Sequence, residues 1–464
     1  MSRLKSVSEN LENQINTNIS KYQTEHSGLF SYVSEIVEEK ASSDSWDKGT
    51  NADTQNLTLM LLIEYAISIE QITHGKISAN FVIDKLKNEM GTFRFGDFKK
   101  GIDDNITYDN NSVTSPIYTQ QCRIKTGFGA HAIPYTEQDQ IKSAVVLFDN
   151  KQEYEDTNGN KTLLSGIHLN NLSDIRGTVF HEWTHILEQV LIKTSELNKD
   201  DIIFENNGST YINTAGIGPN LSTQEYLDFI SNPNQSSEVI FAGISTIEIN
   251  ENKSSRRIMH NQISEGATEY IARLVLEQVG DTPIDSTRYA RQVDIIKQIF
   301  ESKGIANAVS MYLKSPHKLI KELESHKVGD KDILHYISEH ISLLDGINGN
   351  LRYEIKDKLT HKLPPEELND KLSEISMQIR QKTAMFWKEN NEPAPEQQDK
   401  LFNELLDLIG INLSINSREL LKTLINYPQI NRTFQTEINN AFPKRSRNIS
   451  ELRNKQNPKC DPDD

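Results

Sequence analysis

The chain has 464 residues, of which 36% are hydrophobic and 25% charged, and its formal net charge is −16. An acidic excess of this size argues against a nucleic-acid partner and disfavours an anionic membrane surface, since both need clustered Lys and Arg. Only Cys122 and Cys460 are present, so neither a disulfide framework nor a cysteine-rich metal site is expected.

Length sets a soft limit, because single cores stop growing near about 300 residues. A catalytic core with helical additions is therefore expected, divided as an N-terminal helical region at 1–95, a catalytic domain at 96–315 and a C-terminal helical region at 316–464. The first twenty residues lack the apolar stretch of a secretory signal, and no run reaches the roughly 20 apolar residues of a membrane span. The expectation is a protein folded in a cytoplasm and not inserted in a membrane, with export by a signal-less route left open.

From Ser2 to Met90 the pattern is helical. It is clearest where Leu59, Leu62, Ile63, Tyr65, Ala66 and Ile69 recur at helical spacing. Between Gly91 and Asn171 clusters of Gly, Asn and Asp separate short apolar runs, of which Ser143–Phe148 and Thr162–Leu169 read as strands. Turn residues Asp156 to Asn160 lie between these runs, which predicts an antiparallel pair. The segment Thr162 to Asn170 could offer its edge to an extended peptide, or lie inside a small sheet.

Two helices follow, about Asp174 to Lys193 and Ser264 to Val279, separated by a segment rich in Asn, Ser and Gly. From about Pro316 the chain is helical again, with Pro364-Pro365 and Asn391 to Pro395 punctuating it. The polar end, Lys455 to Asp464, is expected to be disordered. The fold class expected is mainly α with a small antiparallel sheet.

The first of the two central helices carries His181-Glu182-Trp183-Thr184-His185. At about 100° per residue the two histidines share one face, a single turn apart. Val179, Phe180, Ile186, Leu187 and Val190 cluster around Trp183 on the opposite side, which makes Trp183 and Phe180 core residues. Gly177 leaves room beside the histidine face. Two imidazoles so placed can converge on one ion, while Glu182, at the border of the faces, can reach a water on that ion. Zinc lowers the pKa of such a water to about 7, and a neighbouring carboxylate can take its proton during attack on a carbonyl and later pass it to the leaving amine.

Catalytic zinc usually has three protein ligands and an open position, so a third ligand must come from elsewhere. The run Ser264-Glu265-Gly266-Ala267-Thr268-Glu269-Tyr270 supplies it. Ser264 reads as a helix N-cap, Glu265 and Glu269 share a face, and Ile263, Ala267, Tyr270, Ile271 and Leu274 form the opposing apolar stripe. The economical assignment makes Glu265 a ligand and Glu269 the acceptor that sets a ligand histidine's tautomer.

The two motifs together resemble the gluzincin group of zinc metallopeptidases, which includes thermolysin-like enzymes. That resemblance implies a zincin-like core in which two motif helices pack around one Zn2+ per chain. It implies hydrolysis of a protein or peptide substrate, with His181, His185 and Glu265 as ligands and Glu182 as general base. The setting of a signal-less chain with helical flanks, enriched in Asn, Lys and Ile as AT-rich bacterial genes encode, is similar to that of metalloprotease effectors or toxins delivered into other cells.

Other residues have competing readings. Glu188 shares the histidine face, but three ligands along one helix cannot surround an ion tetrahedrally; His260 precedes the second helix and fits a loop contact better. Tyr289, in the Ser286-Thr287-Arg288-Tyr289 turn, could donate to an oxyanion or be a packed aromatic. His131 and His168 read as structural, and Arg256-Arg257 as a solvated pair. A catalytically inactive, metal-stabilised binding protein and a metallohydrolase acting on a non-peptide bond are the two alternatives.

Overall fold

The computed structural model describes residues 9–42, 52–96, 130–137, 140–148, 152–155, 161–164, 171–193, 203–206, 209–212, 238–242, 244, 246–249, 256–259, 261–282, 289–360, 362–390 and 392–443. Helix dominates these residues, and strands form small sheets. By contact the chain divides into two compact units, Met1–Glu322 and Leu323–Asp464.

The first unit opens with α1 (Glu9–Glu25), α2 (Ser27–Ser42), α3 (Ala52–Ile72) and α4 (Ala79–Glu89). Of these α3 is the most apolar. Leu59, Leu62, Ile63, Tyr65, Ala66 and Ile69 are all buried, because the helix is enclosed by α1, α2 and α4. Next come β1 (Met90–Gly96), β2 (Ala130–Glu137) and β3 (Gln140–Phe148), in the order β1-β3-β2. Here β1 runs parallel to β3 and β2 antiparallel to it. This sheet is mixed, whereas the other small sheets among the described residues are antiparallel, as expected.

The run from Ser143 therefore pairs with β1 and β2, and not with the run beginning at Thr162. The latter belongs to β5 (Lys161–Leu164), whose partner is β4 (Gln152–Glu155). Residues 156–160, read as turn material, lie outside the described residues, between the antiparallel strands β4 and β5. Residues 165–170, the remainder of the expected edge strand, lie outside the described residues.

The motif helix α5 spans Leu172–Leu187, and Asn171 caps it by accepting hydrogen bonds from the Ser173 and Asp174 amides. It is shorter than its periodicity predicts. Glu188 closes it, and the chain turns directly into β6 (Gln189–Lys193), which pairs antiparallel with β9 (Glu238–Ala242) beyond β7 (Ile203–Asn206) and β8 (Ser209–Ile212). Val190 thus belongs to a strand. Its apolar neighbours suit either structure, and the β9 partner decides the outcome. Strands β10 (Thr246–Ile249) and β11 (Arg256–Met259) extend the β8–β7 pair into a four-stranded sheet.

The second motif helix, α6, runs Asn261–Gln278, starting three residues earlier than expected. Ser264 consequently sits inside the first turn instead of capping it, and its Oγ accepts from the Ile244 amide at 3.0 Å. Helices α7 (Ala290–Lys303) and α8 (Ile305–Lys314) follow, and the boundary between the units falls within α9 (Pro316–Glu324). Helix α6 packs against α5 on one side and α7 on the other.

The second unit begins with a hairpin, β12 (Lys327–Val328) and β13 (Lys331–Asp332), whose two-residue turn has Gly329 at φ 62° in first position. Four helices follow: α10 (Ile333–Thr360), α11 (Pro365–Glu389), α12 (Pro395–Ile409) and α13 (Ile415–Ala441). Prolines 365 and 395 occupy first helical positions, where a missing N–H costs nothing. Ile347, Leu351, Leu372, Leu405, Leu421 and Ile425 lie in this unit's core. Cys122, Cys460, His168, His260 and the segment from Lys455 lie outside the described residues, and of the His131 and Arg256-Arg257 side chains nothing is described. No helix among the described residues is long and apolar enough to cross a membrane.

Candidate metal centre

Helix α5 buries Val179, Phe180, Trp183, Ile186 and Leu187, as its stripe predicts. Tyr65 of α3 stacks on Phe180 at 5.4 Å, meets Trp183 edge-on and shares a 2.7 Å hydrogen bond with Thr184. The opposite face is also covered. His181 and Glu182 are nearly as buried as the stripe, and α6 packs against this helix, with Glu269 meeting His181.

Three side chains meet there. His181 Nε2 and His185 Nε2 are 3.2 Å apart, and Glu265 Oε2 is 3.5 Å from each. Four ligands arranged tetrahedrally at zinc's usual bond lengths would stand about 3.3–3.4 Å from one another. The trio therefore has the spacing of three corners of such a tetrahedron. Among the described residues it is the one group of His, Cys, Asp and Glu side chains compact enough to hold a metal ion.

The hydrogen bonds around the imidazoles decide what these atoms present. His181 Nδ1 lies 3.0 Å from Glu269 Oε2, and His185 Nδ1 lies 2.9 Å from Glu188 Oε1. A carboxylate can only accept, so each Nδ1 donates, and it is Nε2 that faces inward and offers a metal-ligating lone pair once it is free of a proton. Two imidazole nitrogens and a carboxylate oxygen then face one point, where either a proton on an imidazole or a metal ion relieves their repulsion. The same field governs titration. Burial pushes His185 down, but Glu265 and Glu188 outweigh it and hold the imidazole well above its ordinary range. Burial likewise pushes Glu265 up, and His185 with His181 takes it well below the usual carboxylate value.

The ring also has an open side. The His181 side chain is 2% exposed, whereas His185 and Glu265 each keep 20%, so solvent reaches the trio from their direction. That asymmetry suits a site retaining one exchangeable position better than a closed structural one.

Glu269 is held in turn by Arg273, one turn on, whose Nε donates to Oε1 at 2.9 Å. Gly266 has a steric role: a Cβ there would come within 2.5 Å of Gln292 Cβ and 2.9 Å of its backbone carbon. Only glycine lets α7 approach α6 this closely beside Glu265. Gly177 is different, since a Cβ would meet Leu276 at an ordinary 3.6 Å, so the room inferred beside the histidines does not require glycine.

Tyr289 precedes α7 with φ 49° and ψ 23°, a left-handed conformation that is uncommon for a bulky residue. Its ring lies parallel to that of His181, with centroids 5.9 Å apart and 5° between the planes. Glu188, weighed from sequence as a rival ligand, stands on the Nδ1 side of His185, turned away from the point where Nε2 and Glu265 converge. Its actual partners, Thr268 and Tyr312, were not singled out in sequence. Thr268 lies in plain view within the second motif, whereas nothing in local spacing could have found Tyr312 on α8. Arg273 was findable as a cation four positions after Glu269.

No family model matches the chain, and no curated protein or solved structure matches it significantly.

Proposed function

We propose that this protein is a zinc-dependent hydrolase of the gluzincin kind that cleaves peptide bonds in a protein or peptide substrate. One observation carries the reading: two imidazole Nε2 atoms and a carboxylate oxygen, each about 3.2–3.5 Å from the others, converge on one partly open position. His181, His185 and Glu265 would hold the ion.

Zinc, when bound there, lowers the pKa of water and polarises a carbonyl. The remaining work belongs to the chain. Glu182, buried on the same helix between the two histidines, accepts the proton of the attacking water and returns it to the leaving amine. Glu269 and Arg273 keep the His181 ring in its metal-facing tautomer. Tyr289, whose ring lies against that of His181, would donate to the developing oxyanion. Helical segments on either side of the motif region would select the substrate, consistent with an effector or toxin that acts on a protein target.

The test compares the parent with Glu182→Gln. One zinc per chain by elemental analysis in both proteins, with new N-termini generated in a protein mixture by the parent alone, is the expected result. A parent that holds zinc and cuts nothing would favour the binding-protein or non-peptide reading. Cleavage by Glu182→Gln at the parent rate would remove that residue from the base role.

A further inference from the structure

The carboxylate behind His185 belongs to a chain of contacts not used above. Glu188 Oε1 meets His185 Nδ1 at 2.9 Å, and Oε2 accepts hydrogen bonds from Thr268 Oγ1 at 2.9 Å and from the Tyr312 hydroxyl. Tyr312 lies within 3.2 Å of both Ser264 Oγ and Thr268 Oγ1. Glu188, Ser264, Thr268 and Tyr312 are all buried, and they come from three places: the end of α5, the first turns of α6, and α8.

Burial makes the arrangement selective. A carboxylate removed from water must be satisfied by donors, and Glu188 has three, one of which is a ligand imidazole. Its position as the closing residue of α5 matters too. There the helix gives way to β6, so the side chain is aimed by the helix end and by Tyr312 together. The motif Glu265-Gly266-Ala267-Thr268-Glu269 then has a division of labour: its two glutamates address the ion and His181, and its threonine addresses His185 through Glu188.

We propose that Glu188 is a positioning residue for the metal centre, holding His185 with Nε2 toward the ion, and that Tyr312 and Thr268 fix Glu188 for that task. This rests on the metal-centre reading above. Orienting groups of this type commonly change metal affinity about 10–100-fold when removed.

The experiment measures Zn2+ affinity by competition with a chromogenic chelator for the parent, Glu188→Gln, Tyr312→Phe and the double variant. Melting of the zinc-free proteins and the visible absorption of the Co2+-loaded forms are recorded alongside. Glu188→Gln should bind zinc about 10–100-fold more weakly and alter the Co2+ band, which reports ligand geometry. Tyr312→Phe should lose affinity in the same direction by less, and add under about twofold to Glu188→Gln, since it acts through that carboxylate.

Parent-like affinity and an unchanged Co2+ band in Glu188→Gln overturn the proposal while leaving the metal centre standing. Failure of the parent to bind one zinc per chain overturns both. If Glu188→Gln does not fold, Tyr312→Phe decides alone: weaker zinc binding at an unchanged zinc-free melting temperature upholds the chain of contacts, and unchanged binding refutes it.

Discussion

Arg176 of the motif helix and Glu64 of α3 form a two-pronged buried pair, with Nε donating to Oε2 at 2.8 Å and the second guanidinium nitrogen to Oε1. Tyr22 of α1 donates to the same carboxylate, and Asp281 takes a further Arg176 nitrogen at 3.1 Å. The helices before residue 90 are thereby wired to the helix that carries the histidines. Burial pushes Glu64 up against the pull of Arg176, which reflects the desolvation cost of such a pair.

Removing Glu64 leaves the buried Arg176 with Asp281 as its remaining carboxylate. Glu64→Ala should therefore lower the unfolding free energy by about 3–5 kcal/mol in urea denaturation. Tyr22→Phe, which removes one neutral donor, should cost about 1 kcal/mol. Equal, small effects from both changes would mean that the N-terminal helices are not braced to α5 through this carboxylate.

Two glycines predict opposite outcomes for the same substitution. In Gly266→Ala the new methyl meets Gln292 Cβ and backbone at 2.5 and 2.9 Å, so α7 must retreat from α6, at about 1–3 kcal/mol. Because Glu265 is adjacent and Tyr289 begins α7, zinc affinity should fall as well. Gly177→Ala meets only Leu276 at 3.6 Å and gains helix propensity, so stability should rise by up to about 1 kcal/mol. Thermal unfolding of the two variants beside the parent separates them, and a stabilised Gly266→Ala would contradict the close approach.

The residues that make the site were readable where chemistry and periodicity coincide. His181 and His185 at one turn's spacing, set against the Trp183 stripe, define a helix with two distinct faces, and the second motif offers Glu265 and Glu269 in the same way. Periodicity failed at boundaries. Gln189 to Lys193 looks as helical as what precedes it, and only pairing with Glu238–Ala242 makes it a strand. Nor does periodicity show that His181 and Glu182, off the apolar stripe, are buried in the fold. Tyr312 became visible only through a contact made 124 positions from Glu188.

Metal uptake should depend on pH in a definite direction. The neighbouring carboxylates raise His185 well above its ordinary value, so near neutrality the imidazole holds a proton that zinc must displace. A raised histidine pKa contributes stability to the zinc-free protein below about pH 6.5 that is lost as pH climbs through the raised value. Zinc affinity should accordingly increase about tenfold per pH unit over that range, with close to one proton released per ion. Calorimetry at pH 7 in buffers of different ionisation enthalpy counts the proton, and uptake with no proton exchange would rule out displacement.

In the second unit Glu354 of α10 offers a separate titration. It accepts from the Ser414 amide at 2.6 Å and from the Ser414 hydroxyl at 2.7 Å, and it pairs with Lys358 at 2.8 Å. Ser414 meanwhile caps α13 by accepting from the Ser417 amide, so one carboxylate anchors the start of that helix. Burial opposes ionisation, but the bonds from Lys358 and Ser414 prevail and bring the pKa from 4.5 down to about 2. A depressed carboxyl pKa gives stability that is complete above the unfolded value and disappears as pH falls through the folded one. Glu354→Gln should then be less stable than the parent by about 1 kcal/mol at pH 7, after allowance for solvent screening, with the gap closing between about pH 4.5 and 2. Urea unfolding at several pH values across that window measures it. A gap of constant size down to pH 2 would show that the amide loses shape or packing there, and not the charge that Lys358 and Ser414 hold in place.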